Sequence, residues 1–258
     1  MTTRVSASIL AALLLPALVP SAWGLTSTGD PLLESPTPPP ALTAPAPALY
    51  SMRNPDVRVE VFYEDFELGR IKADPALGPD VNLNDVQRRR GGVRVSFGDE
   101  QLSAYVSAFG ESLKHPFLVT TFSNFGMSGG VLGEPVVGRL RRGGKVLLPY
   151  RVGVSFVGGW EEDAFVDYAL FYGEFEGEFG VAVDYSGFRP SAGLYFTSLS
   201  GAVETDFGFA RTTDDFYGFN GGAYAELKYD NKRSPVYGRI RGVVGDVEGV
   251  TVALGVKF

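Results

Sequence analysis

The sequence predicts an all-β chain whose antiparallel strands close into an up-and-down barrel of ten to twelve members. Three observations carry this. From Asp56 onward apolar residues recur at every second position, and no long stretch carries an apolar stripe at helical spacing. Gly supplies 33 of 258 residues, close to double the usual ~7% share, beside 19 Phe and 12 Tyr, a mixture that suits sheets joined by tight turns. Short turn signals punctuate the alternation, and no crossover helix is legible, so neighbouring strands are expected to be antiparallel.

The first 54 residues precede the barrel. Arg4 supplies a positive charge, an apolar run follows from Ile9 to Val19 with Pro16 inside it, and Ala22 and Gly24 are the small residues expected just before a signal-peptide cut. Residues 1–24 therefore read as a cleaved secretory signal; a membrane anchor wants about 20 apolar residues. In residues 25–54, Pro31, Pro36, Pro38, Pro39, Pro40, Pro45 and Pro47 remove backbone donors and fix φ. This segment is expected to be an extended, disordered spacer, and the barrel domain is expected to span 55–258.

The strands follow in order. Val57, Val59, Val61 and Tyr63 oppose Arg58, Glu60 and Glu64. Val93, Val95 and Phe97 oppose Arg94 and Ser96; Leu102, Ala104, Val106 and Ala108 oppose Ser103 and Ser107. Residues 117–125 alternate poorly, and the Gly-rich stretch 126–133 reads as flexible. Gly143-Gly144 is a two-residue hairpin signal between 136–142 and 145–156, where Val146, Leu148, Tyr150, Val152, Val154 and Phe156 oppose Arg151, Gly153 and Ser155. Val166, Tyr168, Leu170 and Tyr172 oppose Asp167, and after a turn at 175–177 Val181 and Val183 oppose Ala182 and Asp184. Residues 191–203 are a strand by composition, without assignable faces. Tyr217, Phe219, Ala223, Ala225 and Leu227 oppose Asn220, Tyr224, Glu226 and Lys228. Val236, Ile240 and Val244 oppose Tyr237, Arg239 and Arg241, and the chain closes on Val250, Val252, Leu254, Val256 and Phe258 opposing Thr251, Ala253 and Lys257. Further turns are expected at 98–100, 230–234 and 245–248, with longer interruptions at 69–90 and 204–215. If 111–142 folds as a loop the count is ten; counting 117–125 as a strand narrowly favours twelve.

Alternation alone does not say which face meets water. In a soluble barrel the apolar face points inward; in a membrane barrel it points at lipid. The stretches 145–157, 216–229 and 249–258 meet the 9–11 residues a tilted strand needs to cross. Their polar faces are mostly Gly, Ala and Ser with single charges, as suits a narrow interior. Tyr63, Tyr150, Tyr217, Tyr229 and Tyr237 lie near strand ends, where an interfacial girdle belongs. A transmembrane barrel is the stronger reading; a soluble, lipocalin-like barrel holding an apolar ligand is the alternative.

The last ten residues, GVTVALGVKF, resemble the closing strand of bacterial outer-membrane β-barrel proteins. In that class a terminal aromatic preceded by alternate apolar residues is the insertion signal, and Val252, Leu254, Val256 and Phe258 match it. The resemblance implies export to the periplasm, residence in the outer membrane of a Gram-negative-type bacterium, contact with outer-membrane lipid and handling by the barrel assembly machinery. It identifies the class and no subfamily, and it leaves oligomeric state open.

Chemistry along the chain is sparse. With Cys 0 and a single histidine, His115, there are no disulfides, no cysteine nucleophile and no His-rich metal centre. A net charge of −7 excludes a basic nucleic-acid surface. His115 has no recognisable catalytic partner spacing, so an outer-membrane enzyme is the weakest reading, and no cofactor is expected. Glu161-Glu162-Asp163 and Asp214-Asp215 could supply Ca²⁺ oxygens, but adjacent acids in turns are ordinarily solvated, so no metal is expected. The notable feature is the set of charges that a lipid-facing apolar surface would place in the lumen: Arg58, Glu60, Glu64, Arg94, Arg151, Asp167, Asp184, Glu226, Lys228, Arg239, Arg241 and Lys257. Two functions fit them. A paired network would fill a closed interior of a structural membrane protein; a small wet pore would use Arg239 and Arg241 to attract anions.

Overall fold

Alternating residues form strands here throughout. The computed structural model describes residues 56–75, 79–114, 122–140, 143–162, 166–208 and 210–258; the signal, the Pro-rich segment and His115 lie outside them. Fourteen strands follow one another: β1 (Asp56–Leu68), β2 (Ile71–Asp74), β3 (Val81–Leu83), β4 (Val86–Gly98), β5 (Ser103–Lys114), β6 (Phe122–Gly133), β7 (Val136–Arg139), β8 (Lys145–Leu147), β9 (Tyr150–Glu162), β10 (Asp167–Asp184), β11 (Phe188–Asp206), β12 (Arg211–Tyr229), β13 (Val236–Gly245) and β14 (Val247–Lys257). Ten of them, β1, β4, β5, β6 and β9 through β14, pair antiparallel around a closed wall. Closure joins β1 to β14, from Arg58 opposite Lys257 to Leu68 opposite Val247. The wall thus stands at the lower end of the expected ten to twelve, and the four remaining strands are short hairpin arms outside it.

Several local readings change; the interruption expected at 204–215, for one, is mostly the ends of β11 and β12. The stretch 126–133, expected to be flexible, is wall strand β6. Its glycines blur the alternation because two of them are seats for inward rings: a Cβ at Gly126 would meet the Phe109 ring at 2.4 Å, and one at Gly130 would meet Tyr105 at 2.9 Å. The turn expected at 175–177 is the middle of β10, which runs unbroken for 18 residues. Glu174, Glu176 and Glu178 look like turn polarity in the sequence, but all three point inward. Pro149, which lacks an N–H, explains why 145–156 divides into β8 and β9. Both segments still lie along β10, with Leu147 opposite Ala182 and Tyr150 opposite Phe179.

The turns sort into two ends. Both termini of the barrel, the β7–β8 hairpin and the 230–235 turn lie at one end, called here the termini end. The other, the loop end, holds the β2–β3 hairpin and the tips of β10, β11 and β12. These three strands project past β13, which stops at Gly245 opposite Gly222. Beyond that point β2 takes the place beside β12, from Lys72 opposite Tyr217 to Asp74 opposite Asp215. Asn220 seals the junction, accepting from the Arg70 backbone N–H at 2.8 Å and donating to its carbonyl at 3.2 Å.

The outside of the wall is apolar on every strand. Val61 on β1, Val93 on β4, Val106 on β5, Phe125 on β6, Phe156 on β9, Phe175 on β10, Leu194 on β11, Phe219 on β12, Ile240 on β13 and Leu254 on β14 are all exposed. Soluble monomers rarely expose contiguous apolar patches above a few hundred Å². An unbroken apolar belt around a polar interior reverses the arrangement of a soluble barrel and is that of a membrane barrel, which disposes of the lipocalin-like alternative. The belt has an edge: on β1 the outward positions run from Val57 to Tyr63, then change to Asp65 and Glu67, and Asp65 pairs with outward Arg89 at 3.2 Å. Tyr63 therefore sits where an interfacial ring belongs. Tyr217 and Tyr229 also face outward. Tyr237 does not: only 5% exposed, it points into the lumen beneath Arg58, because it shares the inward parity of Arg239.

Candidate functional site: the lumen

The inward face changes character along the barrel axis. At the loop end it is hydrophobic, with Leu68, Val86, Leu113, Phe122, Leu170 and Val247 among the buried residues. Below these residues, toward the termini end, guanidinium groups and carboxylates alternate. Arg88 on β4 reaches across to Glu174 on β10 at 2.5 Å, four strands away around the wall. Arg90 bridges Glu174 at 2.6 Å and Glu111 at 2.5 Å, and also donates to the Tyr172 hydroxyl at 2.9 Å. Tyr172 in turn donates to Glu111 at 2.5 Å, and Thr197 donates to Glu174 at 2.6 Å.

One layer lower, Glu60 accepts from both Arg94 and Arg239 at 3.0 Å. Arg241 joins Glu226, at 2.6 Å, to Glu178. Arg151 approaches Glu178 at 3.3 Å and Glu176 at 3.7 Å. Aromatic faces insulate the cations: Arg90 lies 4.7 Å over Phe109, Arg94 lies 4.9 Å over Phe62, and Arg241 lies 4.8 Å over Tyr224. Burial of a charge is costly unless it is paired and hydrogen-bonded, and each of these cations meets a carboxylate.

The inward tyrosines require glycine opposite them. A Cβ on Gly153 would stand 1.9 Å from the Tyr105 hydroxyl, one on Gly180 would stand 2.2 Å from that of Tyr224, and one on Gly255 would strike the Tyr237 ring at 2.3 Å. The Gly content of the polar faces is therefore spent on ring-sized space inside the wall.

At the termini end a third layer forms around two turn residues. Asp230 accepts from Arg58 at 3.0 Å and Lys257 at 2.7 Å; Glu134 accepts from Lys228 and Arg189, each at 2.6 Å. Burial alone would raise both carboxyls, but Lys228 and Arg189 beside Glu134, and Lys228, Lys257 and Arg58 beside Asp230, hold both below the usual carboxylate range. Asp184 caps the neighbouring turn, accepting from the Gly187 N–H at 2.9 Å and from Arg189 at 3.2 Å. A cavity of about 80 Å³ lies among Arg58, Arg94, Arg151 and Arg239.

Of the charges expected inside, the structure brings together Arg58, Glu60, Arg94, Arg151, Asp184, Glu226, Lys228, Arg239, Arg241 and Lys257, and buries Glu64 beside them. Asp167 is the exception. On an unbroken β10, residues 167 and 184 are an odd number apart and must face opposite sides, so Asp167 is exposed and points outward. The members that sequence reasoning passed over are Arg88, Arg90, Glu111, Glu134, Glu174, Glu176, Glu178, Arg189 and Asp230. The signal for three of them was present: Glu174, Glu176 and Glu178 occupy every second position. Val252, Leu254 and Val256 face outward on β14, and Phe258 donates its N–H to the Val57 carbonyl at 2.9 Å. Among the described residues no His, Cys, Asp and Glu group is placed to hold a metal ion.

No family model matches the sequence, and no curated protein matches it. Solved structures are similar in outline. The transport unit of the autotransporter AIDA-I from Escherichia coli is 12% identical with a TM-score of 0.42, over 82% of this chain and 92% of that one. The outer membrane protease OmpT from Escherichia coli is 10% identical with a TM-score of 0.36, over 81% and 98%. OccK10 (OpdN) of Pseudomonas aeruginosa is 11% identical with a TM-score of 0.18, over 80% and 98%.

Proposed function

We propose that this chain is an outer-membrane protein whose barrel is closed, a structural membrane body rather than a pore. The observation that carries the reading is the set of ion pairs spanning the lumen, from Arg88 to Glu174 and from Arg241 to Glu178, between non-adjacent strands. A conducting lumen needs its charges on the wall, solvated and apart; here they meet in the middle, and Arg88 is 1% exposed. The cavity among Arg58, Arg94, Arg151 and Arg239, about 80 Å³, falls well short of the roughly 300 Å³ at which small-ligand sites begin. The lumen carboxylates Glu60, Glu111, Glu174, Glu178 and Glu226 serve as counter-ions to guanidinium groups, and the barrel is read as a non-catalytic body.

The apolar belt and the closing strand support the outer-membrane location. Val252, Leu254, Val256 and Phe258 are read as the signal presented to the barrel assembly machinery after export. Two measurements test this function. Cell fractionation should place the protein in the outer membrane, with a gel mobility that shifts on boiling. Purified protein in planar bilayers should give no unitary conductance; reproducible steps from the wild type would refute the closed lumen, and recovery in the soluble fraction without detergent would refute the location.

A further inference from the structure

The outside of the wall carries an open groove near the loop end, and the pairing of β9 through β12 builds it row by row. In one row Gly173 and Ser200 lie between Phe156 of β9 and Tyr217 of β12. In the next outward row, toward the loop end, Ala202 lies between Phe171 and Asp215. The space among these residues is about 780 Å³. Toward the termini end the floor continues along β11 to Ser198, between Phe175 and Phe219. Phe196 closes it, its ring 5.9 Å from that of Phe175 and 6.4 Å from that of Phe219. From Ala202 to Phe196 the floor is about 20 Å long, at ~3.4 Å per residue.

Polar groups stand in this groove at distinct levels. Ser198 and Ser200 are exposed on the lipid side of β11. A hydroxyl there has no water to bond, and an acceptor carried by a lipid satisfies it. At the loop-end edge Asp215 faces outward directly opposite Asp74, and Lys72 stands on the same face one step nearer the belt, opposite Tyr217. Like charges directly opposite one another repel, so a cation between the two carboxylates is stabilising. From the loop end inward the order is acid, base, hydroxyl and apolar floor. A phospholipid with a primary-ammonium headgroup presents the complementary order of ammonium, phosphate, ester carbonyl and acyl chain. A second copy of the chain fits less well: a membrane dimer keeps each level against the same level, which would set Asp74 and Asp215 of one copy against those of the other.

We infer that this groove is a binding site for an aminophospholipid. Its ammonium lies between Asp74 and Asp215, its phosphate toward Lys72, an ester carbonyl accepts from Ser200, and one acyl chain runs along β11 between Phe175 and Phe219. The inference rests on the membrane reading of the belt, and the two fail differently. Recovery without detergent refutes the membrane location, whereas an intact, heat-modifiable barrel that retains no lipid refutes the groove alone.

The experiment reconstitutes the full barrel in vesicles of equal parts phosphatidylethanolamine and phosphatidylglycerol, with lipopolysaccharide added in a parallel preparation. The barrel is released into mild detergent, and native mass spectrometry reads the lipid it retains. The expected result is one phosphatidylethanolamine per barrel, favoured at least tenfold over phosphatidylglycerol. Ser200→Phe fills the floor and should remove that lipid, while Ala108→Phe, at an outward position of β5, should not. Asp74→Asn combined with Asp215→Asn should narrow the preference several-fold while leaving a lipid in place. The boiling-dependent gel shift shows that each variant is folded. A folded wild type without lipid, equal retention of the two phospholipids, retention unchanged by Ser200→Phe, lipopolysaccharide in place of phospholipid, or a lipid-free dimer would each overturn the site.

Discussion

Replacing Glu174 with alanine is the sharpest test of the lumen. Arg88 is 1% exposed, and Glu174 is its one carboxylate partner among the described residues. Among the described residues Arg88 Nε and Nη2 have no hydrogen-bond acceptor, and the Phe66 ring lies 5.6 Å from the guanidinium. Arg90 also loses Glu174, yet keeps Glu111 at 2.5 Å and Tyr172 at 2.9 Å. One buried cation is therefore stranded, not two. Stranding one member of a buried pair costs about 3–5 kcal/mol, a factor of about 10² to 10³ or more in the folding equilibrium at roughly 1.4 kcal/mol per tenfold. Removing both charges is different, because apolar replacements of similar volume are often neutral. Arg88→Met combined with Glu174→Met should recover most of the loss and end within about 1.5 kcal/mol of the wild type. Equilibrium urea unfolding in lipid vesicles measures both. A Glu174→Ala protein within about 1 kcal/mol of wild type, or a double variant no better than the single, would show that these charges are hydrated and that the lumen is not a locked network.

Three further outcomes are expected. Gly153→Val places a side chain where the Tyr105 hydroxyl stands and should lower stability by about 1–3 kcal/mol or more, as overpacking does; an unchanged urea midpoint would mean that Tyr105 does not occupy that seat. Leu254→Arg sets a charge in the middle of the lipid-facing belt at about 2–4 kcal/mol, and should lower the yield of inserted, heat-modifiable protein, whereas Arg at the exposed border position Glu67 should not. Acid should loosen the termini end: Asp230 and Glu134 are depressed in the folded protein, so their contribution is present above the ordinary carboxylate range near pH 4 and is lost as pH falls through their lower folded values. Thermal midpoints should fall from pH 5 toward pH 2, and Asp230→Asn should be less stable at pH 7 with a shallower acid dependence; a variant that follows the wild-type slope contradicts the assignment.

How much of this was legible in the sequence depended on contrast between the two faces. Where one face was Val and Leu and the other charged or small, as on β13 and β14, faces and turns were readable. Contrast failed in two ways. Gly126 and Gly130 hide inward positions because the rings they accommodate belong to β5, a different strand. The loop-end residues Leu170 and Tyr172 are apolar yet inward, so the rule that sends apolar residues to lipid misplaced Asp167. The Arg88 to Arg90 run was hidden for a third reason: three consecutive arginines look like a solvated loop, although a strand sends the first and third inward and leaves Arg89 to pair with Asp65 outside. No local pattern could show that Arg88 would meet Glu174, since that contact depends on how many strands close the ring.

The carboxylates of β10 also act as a ratchet on assembly. Slide β10 by one residue against β9, and Glu174, Glu176 and Glu178 swing toward lipid while Phe175 and Phe179 enter a chamber lined with guanidinium groups. Slide it by two, and every acid advances one rung, leaving a cation without its mate at one end of the column. In a membrane an apolar belt barely distinguishes one alignment from another, because lipid accepts any of its positions equally. The pairing of charge in the interior can then supply the vernier by which ten near-equivalent strands find a single closed alignment.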